Sequence, residues 1–124
     1  MERVMAINLE PSKSGLQAEQ RRLDASAHNV ANVSTDGFRR QVATAQERPS
    51  GGVDVRVDSV QVSEEAQRAL AEAKAEGLAS QPENDVSVVD ETVNQVAAKA
   101  AFQANAKALK TQDRMIGALL DATG

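Results

Sequence analysis

Cysteine, tryptophan and tyrosine are absent from this 124-residue chain, which holds only two phenylalanines and one histidine. Without cysteine there are no disulfides and no thiolate metal sites, and the redox compartment stays undecided. With so few aromatics, much of the 41% hydrophobic content is alanine. Buried apolar surface contributes roughly 25 cal/mol per Å², and an alanine side chain has little surface to bury. A thick core of its own is therefore not expected at a length that suits one modest domain. The composition suits long helices that gain stability from a partner.

Other absences narrow the function. The 14 basic and 18 acidic residues are well mixed, giving a net charge of −4, and no basic stripe is interleaved with aromatics. This argues against a nucleic-acid partner. No apolar run is long enough to span a bilayer. The stretch from Val4 to Leu9, broken by Asn8, is too short and too polar for the core of a cleaved signal peptide. Export would have to use a machine that reads an uncleaved segment.

Chemistry is equally thin. A metal site needs three or four convergent ligands, which one histidine and scattered carboxylates do not supply. His28 has Ser26 and Asp36 nearby in sequence, but Ser26 sits two residues away on a helix and faces elsewhere. No strand-turn-helix elbow surrounds it. "SGG" near residue 51 lacks the lysine and the following helix of a phosphate loop. Asn32-Val33-Ser34 matches a glycosylation sequon, against whose use the missing signal peptide argues. No enzyme, cofactor or small-molecule substrate is expected.

What is present is periodicity. Ser14 to Val30 reads as a helix capped by Ser12 or Ser14. Leu16, Leu23 and Val30 recur every seven residues, the spacing of a coiled-coil or bundle seam. The turn formers of "STDG" follow, and Asp36-Gly37 predicts a tight reversal with Gly37 at positive φ. "QVATAQE" and "VDVRVDSVQV" flank a Pro49–Gly52 turn and predict a hairpin with a valine face of Val53, Val55, Val57, Val60 and Val62. The slip at Asp58-Ser59 predicts a bulge. "SEEAQRALAEAKAEG", Ser63 to Gly77, opens on a serine cap and closes on glycine, a short surface helix or a linker. Residues 78–85 read as a loop.

From about Ser87 to Ala122 there is no proline and one glycine. A helix over that span reaches ~50 Å, more than the first helix can cover. Val86, Val89, Val93, Val96 and Ala100 form one stripe, and Phe102, Leu109, Ile116 and Leu120 another. Their phases differ, predicting a stutter near Ala100–Phe102. The alanines of "AAKAAFQANAKALK" favour close helix packing over membrane binding, since they lack the bulky apolar load of an interfacial helix.

Two segments together resemble the rod and hook family of bacterial flagellar axial proteins. "SGLQAEQRRLDASAHNVANVSTDGF" is similar to the family's N-terminal signature, through Asn29, Ala31, Asn32, Thr35, Gly37 and Phe38. "DVSVVDETVNQVAAKAAFQANAKALKTQDRMIGALLD" resembles its terminal helix, through Val93-Asn94, Phe102-Gln103-Ala104-Asn105 and Thr111. The resemblance implies a structural subunit of the flagellar basal body rod that packs with copies of itself and other rod/hook proteins. It further implies passage through the flagellar type III export apparatus without a cleaved signal, pairing of the terminal helices, residence in the periplasm-spanning rod, and torque transmission. The short middle, residues 39 to 84, leaves no room for large outer domains and favours a proximal-rod type.

The expected fold is mainly α, with N- and C-terminal helices pairing as a coiled coil or bundle and a small β-hairpin and short helix between them. The expected organisation is 1–38 for the N-terminal helix and its assembly motif, 39–84 for the middle region, and 85–124 for the C-terminal helix. Candidate packing residues are Leu16, Leu23, Val30 and Phe38, then Val89, Val93, Val96, Phe102, Asn105, Leu109, Ile116 and Leu120. Asn29 and Asn32 are expected to satisfy carbonyls at the end of the first helix, with Thr35 and Gly37 shaping the turn that delivers Phe38. The rival from another class is a soluble helical adaptor or export chaperone that masks a partner's helix.

Overall fold

The computed structural model describes residues 8–77 and 84–124. Its elements are α1 (Glu10–Ala31), β1 (Gln41–Glu47), β2 (Val53–Ser59), α2 (Glu64–Ala75) and α3 (Val88–Thr123). The mainly α architecture with paired terminal helices and an intervening hairpin is as the sequence predicts.

Helix α1 begins earlier than its serines suggest. Leu9 is its N-cap and makes no side-chain cap bond, and Pro11 lies in the first turn. Proline is suited there because its missing N–H would have had no intrahelical partner. Asn8 Oδ1 accepts from the Glu10 N–H at 3.0 Å. Ser12 and Ser14 are thereby displaced from the cap into the helix, where both are buried. Ser12 faces Gln112, and Ser14 faces the hairpin.

The hairpin pairs Gln41 with Ser59 and Glu47 with Val53 in unbroken antiparallel register. The bulge predicted at Asp58-Ser59 does not form. Strand β2 simply ends at Ser59, so Val60 and Val62 belong to the stretch that leads into α2. The valine face is correspondingly shorter: Val55 is buried, Val53 half-buried and Val57 exposed.

α2 matches its caps. Ser63 Oγ accepts from the Ala66 N–H at 3.3 Å, and Gly77 leaves the helix at φ 70°. Yet among the described residues α2 has no buried side chain and packs against no other helix or strand. α3 starts from Ser87, whose hydroxyl accepts from the Asp90 N–H, and runs for 36 residues.

α1 lies between the hairpin and α3, antiparallel to the latter. Ser12 bonds Gln112 near one end of the seam, and Ser26 bonds Gln95 and the Glu91 carbonyl near the other. On α3 the seam is lined by Glu91, Gln95, Ala98, Ala101, Asn105, Leu109, Gln112 and Ile116, with Phe102, 37% exposed, at its rim. The spacing is broadly that of a heptad, with two successive steps of three at Ala98 and two of four at Asn105. The valine stripe lies outside the seam. Gly15 sets the closeness of the helices: a Cβ there would stand 2.8 Å from Asn105 Nδ2.

Candidate functional site: a polar joint and an exposed apolar face

The stretch that ends α1 forms a joint between three elements. Asn29 is 1% exposed. Its Nδ2 donates to the Gln41 carbonyl at 2.8 Å and to Glu91 Oε1 at 2.9 Å, while its Oδ1 accepts from the Gln41 N–H at 2.6 Å. One amide thus ties α1 to the first residue of β1 and to the first turn of α3. The expectation that Asn29 serves carbonyls at the helix end is corrected here. Its side chain points sideways into the packed joint, where Gln41 and Glu91 offer better-placed partners.

Asn32 does what its position predicts: its Nδ2 donates to the His28 carbonyl at 2.8 Å. Thr35 Oγ1 donates to Asn32 Oδ1 at 3.3 Å, and the Phe38 N–H to the Thr35 carbonyl at 3.2 Å. Gly37 sits at φ 71°, the left-handed region that a glycine adopts without strain. The turn sets Phe38 against His28, with ring centroids 5.5 Å apart and planes tilted by 60°. The histidine's neighbour is an aromatic ring, and no group of three or more His, Asp or Glu that could hold a metal occurs among the described residues.

Two residues of this joint escape sequence reasoning. Glu91 is 3% exposed and fills the space beside Asn29. Asn84 lies in the stretch read as a loop, of which residues 78–83 fall outside the described residues. Its Nδ2 reaches the carbonyls of Asn32, Val33 and Thr35 at 2.7, 3.0 and 3.0 Å. Its Oδ1 accepts from the Val86 N–H at 2.9 Å, and next to it Asp85 accepts from the Arg40 N–H at 2.8 Å. An asparagine ahead of a serine-capped helix was the available signal, but its partners lie some fifty residues away.

The packing candidates divide. Leu16, Leu23, Val30 and Phe38 are half-buried, as are Asn105, Leu109 and Ile116. Phe102 is 37% exposed. Val89, Val93 and Val96 stand 74%, 63% and 65% exposed, and Leu120 is 66% exposed beyond the reach of α1. The structure thus brings the α1 residues and the seam of α3 together and leaves Val89, Val93 and Val96 largely exposed among the described residues.

The balance is inverted from the usual one. Buried hydrophobic residues are Ala18, Ala25, Val55 and Ala98, while Ser12, Ser14, Ser26, Asn29 and Glu91 are buried polar groups. Buried polar side chains normally persist only when hydrogen-bonded, and these are. Among the described residues one atom departs from that: Glu19 Oε2 is buried without a partner, while Oε1 meets Arg22 Nη1 at 3.4 Å.

The N-terminal stretch and the long helix each match a family model. Residues 9–39 match the flagella basal body rod protein family, and residues 84–122 match the flagellar basal body rod FlgEFG protein C-terminal family. The chain belongs to the flagellar rod/hook protein family. As a family member it is a structural component of the flagellar basal body that works among other rod and hook proteins. In this rod-family chain the two matched segments are the ones joined by Asn29–Glu91 and by the triple contact of Asn84. No helix among its described residues is long and apolar enough to cross a membrane.

Proposed function

We propose that this chain is a polymerising subunit of the flagellar rod. Its terminal helices, 1–38 and 85–124, form the inner packing unit, and residues 39–84 form the middle that faces other parts of the axial structure. The observation that carries this reading is the exposed apolar surface of α3: the outward valine stripe and, on other faces near its C-terminal end, Met115, Leu119 and Leu120, each more than half exposed. Large apolar side chains left in water while serine and asparagine fill the seam mark a surface meant for other subunits. Contacts between different faces of successive copies repeat without closing, which builds a helical tube.

Within that tube, Leu16, Leu23, Val30, Phe102, Asn105, Leu109 and Ile116 hold the pair, and Asn29, Asn32, Thr35, Gly37 and Phe38 hold the joint. Val89, Val93, Val96 and Leu120 meet neighbours. Delivery is by the flagellar export apparatus, the site is the periplasm-spanning rod, and torque passes through packed helices without chemistry. The short middle region supports a proximal-rod position.

Size-exclusion chromatography with light scattering, run beside circular dichroism over a concentration series, tests this. Mass and helicity that rise together with concentration are expected. A species of fixed mass and full helicity at every concentration would favour the adaptor or chaperone instead. In cells, Phe38→Ala is expected to leave export intact and lower incorporation into the rod; normal motility with normal rod occupancy would count against the joint's role.

A further inference from the structure

Helix α2 has a face that the described residues leave unused. Ala66, Ala69, Leu70 and Ala73 share one side at helical spacing, and Leu70 is 38% exposed. Glu65, Glu72 and the C-cap Glu76 run in a row along one flank of that side, because steps of seven and four return to nearly the same angle. None of these three carboxylates has an ion pair among the described residues. Arg68 pairs with Glu64 on the opposite side of the helix.

The face of α3 turned away from α1 is its electrostatic counterpart. Between Glu91 and Asp113 the helix holds Lys99, Lys107 and Lys110 and no acidic residue. All three lysines are exposed and without an ion pair among the described residues. Beside them Ala100 and Ala104, also exposed, continue the outward strip that begins with Val93 and Val96. Lys99 and Lys110 are eleven residues apart, as are Glu65 and Glu76, a span of about 16.5 Å on either helix.

We propose that α2 of one copy of this chain packs antiparallel on the outer face of α3 of a second copy. Handedness sets the direction. In both helices the charged row lies on the same flank of its apolar strip, viewed from N- to C-terminus, and like flanks of two right-handed helices meet only when the helices are antiparallel. One register then serves charge and packing together. With Glu65 beside Lys110 and Glu76 beside Lys99, Leu70 lies over Ala104 and Ala73 over Ala100, and Glu72 falls between Lys99 and Lys107. The chain cannot make this contact with its own α3. Ser59 ends β2 opposite Gln41, which Asn29 ties to Glu91, so it sits level with the start of α3. Glu65 is six residues beyond Ser59, a reach of at most about 22 Å. Lys110 is nineteen residues beyond Glu91, about 28 Å along the helix, and the face is on the side away from α1. The contact joins two different faces and so repeats from copy to copy. It rests on the reading of this chain as a polymerising subunit.

Two variant chains test the contact. One carries Glu65→Lys, Glu72→Lys and Glu76→Lys, the other Lys99→Glu, Lys107→Glu and Lys110→Glu. All six positions are exposed, so the circular dichroism of each is expected to match that of the unmodified chain. Each variant alone sets like charges against each other and is expected to self-associate roughly ten-fold more weakly by light scattering. An equimolar mixture restores opposite charges at every α2–α3 contact. It is expected to recover association at physiological ionic strength, where exposed charges more than ~8 Å apart are largely screened. Because the chain has no cysteine, Leu70→Cys and Ala104→Cys chains, mixed and gently oxidised, report the register. Their mixed disulfide is expected to exceed that of Leu70→Cys with Asp121→Cys by roughly ten-fold, since a disulfide needs closely apposed backbones. A mixture that associates no better than its separate components, or no preference for Ala104, would overturn the contact and leave the subunit reading standing. A disulfide closing within single chains that carry both cysteines would assign the face to the chain's own α2 and overturn the contact equally. Failure of the unmodified chain to associate at any concentration would overturn both.

Discussion

Asn29 holds more of this molecule together than its size suggests. Its three hydrogen bonds join α1, β1 and α3 at a point closed to water. Removing the amide leaves Gln41 and Glu91 short of partners, and stranded buried groups cost about 1–3 kcal/mol each. Asn29→Ala is therefore expected to destabilise the isolated chain by at least ~2 kcal/mol in urea unfolding. Glu19 is the opposite case. Its side chain is 12% exposed and one oxygen lacks a partner. Glu19→Met is expected to stabilise the chain by about 1 kcal/mol, because an apolar group of similar volume ends an uncompensated burial. A lower unfolding midpoint would show that the carboxylate is held better than its geometry indicates. Gly15 marks the tightest approach of the helices, and Gly15→Leu is expected to cost about 1–3 kcal/mol through overpacking.

At the scale of elements, α2 and α3 differ in what supports them. α2 has 12 residues, no buried side chain and, among the described residues, no packing against another helix or strand. Helices of that length are marginal in water on their own. Its amides are expected to exchange with solvent far faster than those of α1, and Ser63→Ala, which removes an N-cap hydrogen bond worth about 1 kcal/mol, should speed them further. The urea midpoint of the whole chain should not move, since α2 opens independently. A shifted midpoint would show that α2 is coupled to the helix pair. α3 has the reverse profile: its N-terminal two thirds are held by α1 through the heptad, and its C-terminal turns carry Met115, Leu119 and Leu120 into solvent.

For the whole molecule, the outward valines separate folding from assembly. Val93 is 63% exposed, so Val93→Lys removes no intrachain contact of consequence and is expected to change unfolding by less than ~0.5 kcal/mol. In the same preparation, light scattering should show self-association reduced or lost, because a charge is stranded inside the subunit contact. Loss of folding together with association would mean that the stripe supports the chain itself. This separation is what the proposed subunit role requires: enough pairing to hold a shape, with the main apolar area kept for neighbours.

Local signals were legible where the causes are local. The two caps of α2, the positive φ of Gly37, the hairpin around Pro49–Gly52 and the extent of α3 follow from residues within a few positions of each other. The motif ending in Phe38 and the long terminal helix were also legible as a family pattern. Which face of each helix turns inward was not. Periodicity ranks faces by hydrophobicity, and here the valine stripe of α3 outranks the mixed heptad that packs on α1. Only the tertiary structure could decide between them. Gly15 lets the helices approach closely, and Ser26, Asn29 and Glu91 become compatible with burial only once each finds its partner across the seam. Hydrogen bonds between residues sixty positions apart have no signature in either segment alone, which is why Asn84 and Glu91 emerge as members of the joint only in three dimensions.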